Sequence, residues 1–145
     1  MVDAKDNSLS EILRMPNMNI TFSWENMAGT LSPCCASEVV NSDGISLLAC
    51  LLMDDGGLPY LETVPWICEG ISKIDAVLRG EISSYSWDRE AWGVSISAGE
   101  AKIYSLHDED YFEVTSAQEI RKALDSWRAF IQSTPTVGDK KSIEL

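Results

Sequence analysis

Residues 82–114 read ISSYSWDREAWGVSISAGEAKIYSLHDEDYFEV, and the spacing of their apolar side chains decides the fold. ISSYSWD (82–88) and AWGVSIS (91–97) are short runs rich in aromatic and β-branched residues, and in the second Trp92, Val94 and Ile96 alternate. A period of two places such residues on one face of a strand. Ala98-Gly99 supplies a turn. AKIYSL (101–106) continues, and Phe112 and Val114 carry a short fourth strand. Consecutive strands joined by short turns form an antiparallel meander.

Beyond this stretch the period changes. Ser116 and Glu119 form a capping box, in which the hydroxyl accepts from a free backbone N–H and the carboxylate reaches back to the cap. Ile120, Leu124, Trp127 and Ile131 follow at helical spacing, with Phe130 beside them and Pro135 past the end. Upstream, Val64, Ile67, Ile71, Ile74 and Leu78 mark a second amphipathic helix over 64–79. Thr63 is its expected cap, Pro65 sits in its first turn, and Gly80 stops it. NITFSW (19–24) alternates as a first strand. AGTLSPCCASEVVNSDG (28–44) reads as loop with room for one short strand. ISLLACLLM (45–53) lies between Asp43-Gly44 and Asp54-Asp55-Gly56-Gly57 and is assigned as a buried central strand. Its Leu and Ala content also suits a helix.

A chain of 145 residues fits one domain, able to bury roughly two-thirds of its unfolded surface. The expected fold is α+β: an antiparallel sheet, with the meander in the C-terminal half, packed against two to three amphipathic helices. Residues 1–17 are read as an N-terminal arm with a helical turn around SLSEIL, 18–134 as the domain, and 135–145 as a C-terminal tail. The N-terminus has no basic segment followed by an apolar run, so no secretory signal is expected. ISLLACLLM is too short to span a bilayer. Cys34, Cys35, Cys50 and Cys68 make no C-x-x-C pair. They are read as free thiols of a cytosolic protein, Cys50 and Cys68 as buried ones.

The net charge is −12 with a pI near 4.3. It is concentrated in two blocks. Residues 36–75 hold Glu38, Asp43, Asp54, Asp55, Glu62, Glu69 and Asp75 against Lys73 alone. Residues 81–113 hold Glu81, Asp88, Glu90, Glu100, Asp108, Glu109, Asp110 and Glu113 against Arg89 and Lys102. Acids and bases balance over the rest. One side of the domain is therefore expected to be strongly negative. Nucleic acid and anionic membrane are poor partners for it, and a basic protein is a good one.

The run LHDEDYFEV (106–114) joins the only histidine to four carboxylates. As a metal site it is weak: neighbouring strand residues point to opposite faces, and no calcium-loop spacing or central Gly is present. His107 with Ser105 or a cysteine lacks any nucleophile signature. A two-carboxylate hydrolase remains open, because carboxylates are plentiful. There is no P-loop and no G-x-G-x-x-G.

Trp24, Trp66, Trp92 and Trp127 are assigned to the core. Tyr85 and Trp87 share a strand face beside an acidic turn, and Tyr111 ends the acidic run. Aromatics beside charged loops make interface anchors, so Trp87 and Tyr111 suit either the core or a partner. The candidate partner-binding residues are Asp54, Asp55, Glu62, Tyr85, Trp87, Asp88, Glu90, Asp108, Glu109, Asp110 and Tyr111. No catalytic residue, metal ligand or cofactor is assigned.

From Trp66 to Phe130 the chain resembles a known family. The residues that carry the likeness are Trp87, Trp92 and Gly93 (W-x-x-x-x-W-G), Lys102 to Tyr104 (K-I-Y), Asp108 to Tyr111 (D-E-x-Y), and Ala123 to Phe130 (A-L-x-x-W-x-x-F). In this order they resemble the small acidic immunity proteins of bacterial contact-dependent inhibition and polymorphic toxin systems, of the ribonuclease-toxin type. The resemblance implies a cytosolic non-enzyme that binds and neutralises a cognate toxin domain. A nuclease toxin binds phosphate and is usually basic, so an acidic inhibitor gains attraction and on-rate. The alternatives are an acidic α+β adaptor for another basic protein, and a small hydrolase or metalloenzyme.

Overall fold

Two Ala-Gly dipeptides turn the chain back on itself in the same way. Ala28 and Gly29 have φ of 54° and 87°, and Ala98 and Gly99 have φ of 51° and 85°. Two consecutive positive φ values match the right-handed twist of the strands they join, so both are tight hairpin turns. The computed structural model describes residues 19–145. The arm assigned to 1–17, with its helical turn, lies outside the described residues.

The first turn joins β1 (Asn19–Met27) to β2 (Thr30–Ser37) in register from Ile20↔Ser37 to Met27↔Thr30. The region read as loop with room for one short strand thus holds one of eight residues. Its Pro33 faces Trp24 on the sheet's outermost strand, where a missing N–H does little harm. The other edge of this sheet is β7 (Lys140–Glu144), paired antiparallel to β1 with Ile20↔Ile143. The closing residues read as a tail are therefore part of the sheet. The strand order is β2-β1-β7.

The second sheet has the order β3-β4-β5-β6, an unbroken antiparallel meander. Its strands are β3 (Ser84–Asp88), β4 (Trp92–Ser97), β5 (Glu100–Ser105) and β6 (Phe112–Ser116). Among the described residues three helices complete the α+β domain: α1 (Leu47–Met53), α2 (Val64–Leu78) and α3 (Ala117–Ile131). α1 corrects the expectation of a central strand. Ser46 caps it by accepting from the Ala49 N–H at 3.1 Å, and Leu47, Leu48, Ala49, Leu51 and Leu52 are all buried. An apolar run buried on every side has no period to betray its type, and the straight-chain Leu and Ala decide for helix.

α2 starts with Pro65 inside its first turn and ends before Gly80, whose φ is 76°. Thr63 makes no side-chain cap bond; its hydroxyl donates to the Tyr60 carbonyl instead. The buried stripe is Ile67, Gly70, Ile74 and Val77, and Leu78 is exposed. α3 carries the complete capping box of Ser116 and Glu119. Its Trp127 and Phe130 meet Phe22 of β1 at ring centroid distances of 5.2 and 5.4 Å. α1 touches β2 of the first sheet and β4 and β5 of the second, so the helices bridge the sheets around one core. No described helix is long and apolar enough to cross a membrane.

Candidate functional site

In an antiparallel meander the end of β3, the start of β4, the end of β5 and the start of β6 lie at one end of the sheet. Two acidic turns therefore meet there: Asp88-Arg89-Glu90 and Asp108-Glu109-Asp110. They are tied together by the Leu106 N–H, which donates to the Ala91 carbonyl at 2.9 Å. A third acidic turn comes from another part of the chain. Asp54, just past α1, accepts at one carboxylate oxygen from the N–H of Ala91 (2.8 Å) and of Trp92 (3.0 Å). Arg89 returns the contact by donating to the carbonyls of Asp54 (3.3 Å) and Asp55 (2.8 Å). Three acidic turns distant in sequence thus share one end of one sheet.

The aromatics beneath this end hold the turns in place. The Trp66 indole stacks on Trp87 at 4.2 Å and donates from Nε1 to the Asp88 carbonyl at 3.1 Å. The Arg89 guanidinium lies 5.0 Å from the Trp66 ring centroid. Tyr111 packs beside Trp92, donates to Asp43 at 3.0 Å and accepts from Asn41 at 2.7 Å. That contact adds the carboxylate of Asp43. Nothing in the sequence pointed to Asn41, and Asp43 stood out only as one acid of the first block; they stand 70 and 68 positions from Tyr111.

The expected partner-binding residues divide. Asp88, Glu90, Asp108, Glu109 and Asp110 are exposed at the shared end, with Asp55 half-buried beside them. Asp54 is there too, with one carboxylate oxygen turned inward on the two N–H groups. Asp108 shapes its own turn by accepting from the Asp110 N–H at 3.0 Å. Tyr111 is half-buried, its hydroxyl engaged by Asn41 and Asp43. Trp87 is buried, 5% exposed, and presents no surface to a partner. Gly70 of α2 lets it sit so close that a Cβ there would lie 2.4 Å from its ring. Its Nε1 has no hydrogen-bond partner among the described residues. Tyr85 faces α2, not the acidic end, and donates to Glu69 at 2.8 Å. Glu62 is exposed on the 3₁₀ turn Tyr60–Thr63. Of the tryptophans assigned to the core, Trp24 and Trp127 are buried, whereas Trp66 and Trp92 are half-buried at the acidic end.

Phe112 and Val114, expected to carry a short fourth strand, do so in β6 and point outward at 50% and 53% exposure. Glu113 between them points inward and accepts from the Leu47 backbone at the start of α1. Burial raises its carboxyl above the usual range and that bond partly offsets the rise. Among the cysteines, Cys35 is buried, Cys50 half-buried and Cys68 exposed, so the expectation that both Cys50 and Cys68 are interior fails. Burial first, then the neighbouring Cys34 and Cys50, pushes the Cys35 thiol up to about 12. It is an inert thiol at neutral pH. Among the described residues, no group of three His, Cys, Asp or Glu side chains is placed to hold a metal ion.

What this end can do is attract and orient cations. Several carboxylates project from turns braced by backbone hydrogen bonds, while the Arg89 guanidinium is engaged by the Asp54 and Asp55 carbonyls. No family model, curated protein or solved structure matches the chain.

Proposed function

We propose that the chain is a cytosolic immunity protein, one that binds and neutralises a basic nuclease toxin domain and catalyses nothing itself. The observation that carries this reading is the gathering of three acidic turns at one end of the second sheet. Carboxylates held on such turns take the place of substrate phosphates before the Arg and Lys side chains of a nuclease, through charge-assisted bonds. A net charge of −12 steers a basic partner inward, with association rates up to about 10⁸ M⁻¹s⁻¹ at low salt. The likeness of Trp66 to Phe130 to ribonuclease-toxin immunity proteins points the same way.

The test is co-expression with the C-terminal domain of the large secreted protein encoded beside this chain's gene. Survival of the cells, intact tRNA and a stable complex are expected. Toxicity without rescue would turn the reading toward an acidic adaptor for another basic protein. The double variant Asp108→Lys/Asp110→Lys is expected to keep the fold and to weaken the complex by more than about 2 kcal/mol, the scale of an interface hot spot.

A further inference from the structure

The second sheet has a face that the helices leave open. Its register alternates two sets of side chains. Trp87, Val94, Ile103 and Glu113 form one cross-strand row, turned toward the helices. The rows on the other side are Asp88, Gly93, Tyr104 and Phe112, then Ser86, Ser95, Lys102 and Val114. Of these, Ser86, Asp88, Lys102, Phe112 and Val114 are exposed.

This face is composed like an interface. The Tyr104 ring rests its hydroxyl end against Gly93, where a Cβ would come to 3.0 Å from the ring and the hydroxyl. A tyrosine held this way offers a large contact area at little entropic cost. Phe112 adjoins it in the same row, with the Lys102 ammonium 4.4 Å from its ring centroid. Ser86, Ser95, Lys102, Tyr104 and Glu109 line a shallow depression of about 260 Å³. Glu109 of the acidic end thus borders the depression and joins that end to the open face. Burial, then the charges of Asp88 and Glu109, raise the Tyr104 hydroxyl above its ordinary value, so both carboxylates act on that ring.

We infer that this open face is the second half of the docking surface, taking an arginine-bearing segment of the basic partner, with Tyr104 as the platform. The inference rests on the reading above, that the partner is basic. A guanidinium is the group that both stacks on a tyrosine ring and bonds carboxylates on either side of it. Phe112 and Val114 then meet the aliphatic stem and its neighbours. A second copy of this chain is a poor occupant, because it would bring two acidic ends of a −12 chain together.

The experiment uses the full chain and a catalytically inactive form of the neighbouring toxin domain, with Kd measured at fixed ionic strength. Three variants are compared with the natural chain: Tyr104→Ala, the pair Phe112→Ala/Val114→Ser, and Glu25→Lys as a charge control on the first sheet. The first two are expected to weaken binding at least tenfold and the control less than threefold. Backbone amide NMR of the natural chain in the complex is expected to shift Gly93, Ser95, Tyr104 and Val114, which keeps the test alive if a variant unfolds. Tight binding with both face variants within threefold of the natural chain, or shifts confined to 107–110, overturns this inference and leaves the immunity reading standing. No binding by the natural chain overturns both.

Discussion

The two aromatic clusters of this protein do different work. Around β1 and α3, Phe22, Trp24, Trp127 and Phe130 are buried and contact one another, with Trp24 stacked on Phe130 at 4.9 Å. Among the described residues, no cation lies over any of these four rings. Around the acidic end, Trp66, Trp87, Trp92 and Tyr111 are mostly half-buried; Trp66 and Tyr111 are tied to turns by a hydrogen bond or a charge, and Trp92 packs beside Tyr111. The first cluster gains its energy from apolar area removed from water. The second gives up part of that area to hold carboxylates in place. The difference teaches that an acidic end needs a scaffold: repelling charges stay together because apolar rings and backbone bonds beneath them outweigh the repulsion.

Substitutions probe this contrast at four strengths. Trp127→Ala removes the largest side chain joining α3 to β1, and thermal or urea unfolding is expected to show a loss of about 3–5 kcal/mol. A loss under about 1 kcal/mol would mean that the first cluster is not the main store of stability. Gly70→Ala drives a methyl into the Trp87 ring, and overpacking is expected to cost about 1–3 kcal/mol, against the helix gain of about 1 kcal/mol that Ala normally brings. A stabilised variant would show that the second cluster yields easily. Asp54→Ala leaves the Ala91 and Trp92 N–H groups without their acceptor. The expected loss is about 1–2 kcal/mol, together with faster amide exchange at those two positions. Unchanged exchange would separate the α1 turn from the acidic end.

The smallest effect lies on the link between the clusters. Arg121 of α3 binds Asp75 of α2 through two hydrogen bonds, at 2.6 and 3.2 Å. Hydrogen bonding to Arg121 holds the Asp75 carboxyl below its ordinary value of 3.8; burial opposes this, and the charges of Arg121 and Arg79 add to the lowering. A folded value below the unfolded one means that the stabilisation is present above pH 3.8 and disappears as pH falls through the folded value. Asp75→Asn is therefore expected to cost no more than about 1 kcal/mol near neutrality, given the partial exposure of both side chains. The gap to the natural chain should close in acid. A gap that persists in acid would point to a lost contact other than the ion pair.

Much of the second sheet was legible because strands joined by short turns are local. The alternation of Trp92, Val94 and Ile96, the Ala98-Gly99 turn and the Ser116-x-x-Glu119 box each act within a few residues, and each is found where the pattern placed it. β2 was legible in principle, since Ala28-Gly29 repeats the dipeptide at 98–99, but Pro33 and the small residues hid the strand. β7 was not legible. KKSIE has one apolar residue in five, and only the free edge of β1 makes it a strand. The acidic content of the site was also plain, as were the turns that carry it.

By itself, then, the sequence determined the class of fold, the meander, the two amphipathic helices and the −12 charge, because local period, turn chemistry and composition need no distant partner. Only the tertiary structure decided three further things. It made ISLLACLLM a helix, sent Phe112 and Val114 outward with Glu113 beneath, and brought the Asp54 turn onto the turn that holds Asp88 and Glu90. Each depends on contacts between residues tens of positions apart, where the burial available to one segment is set by what another segment covers.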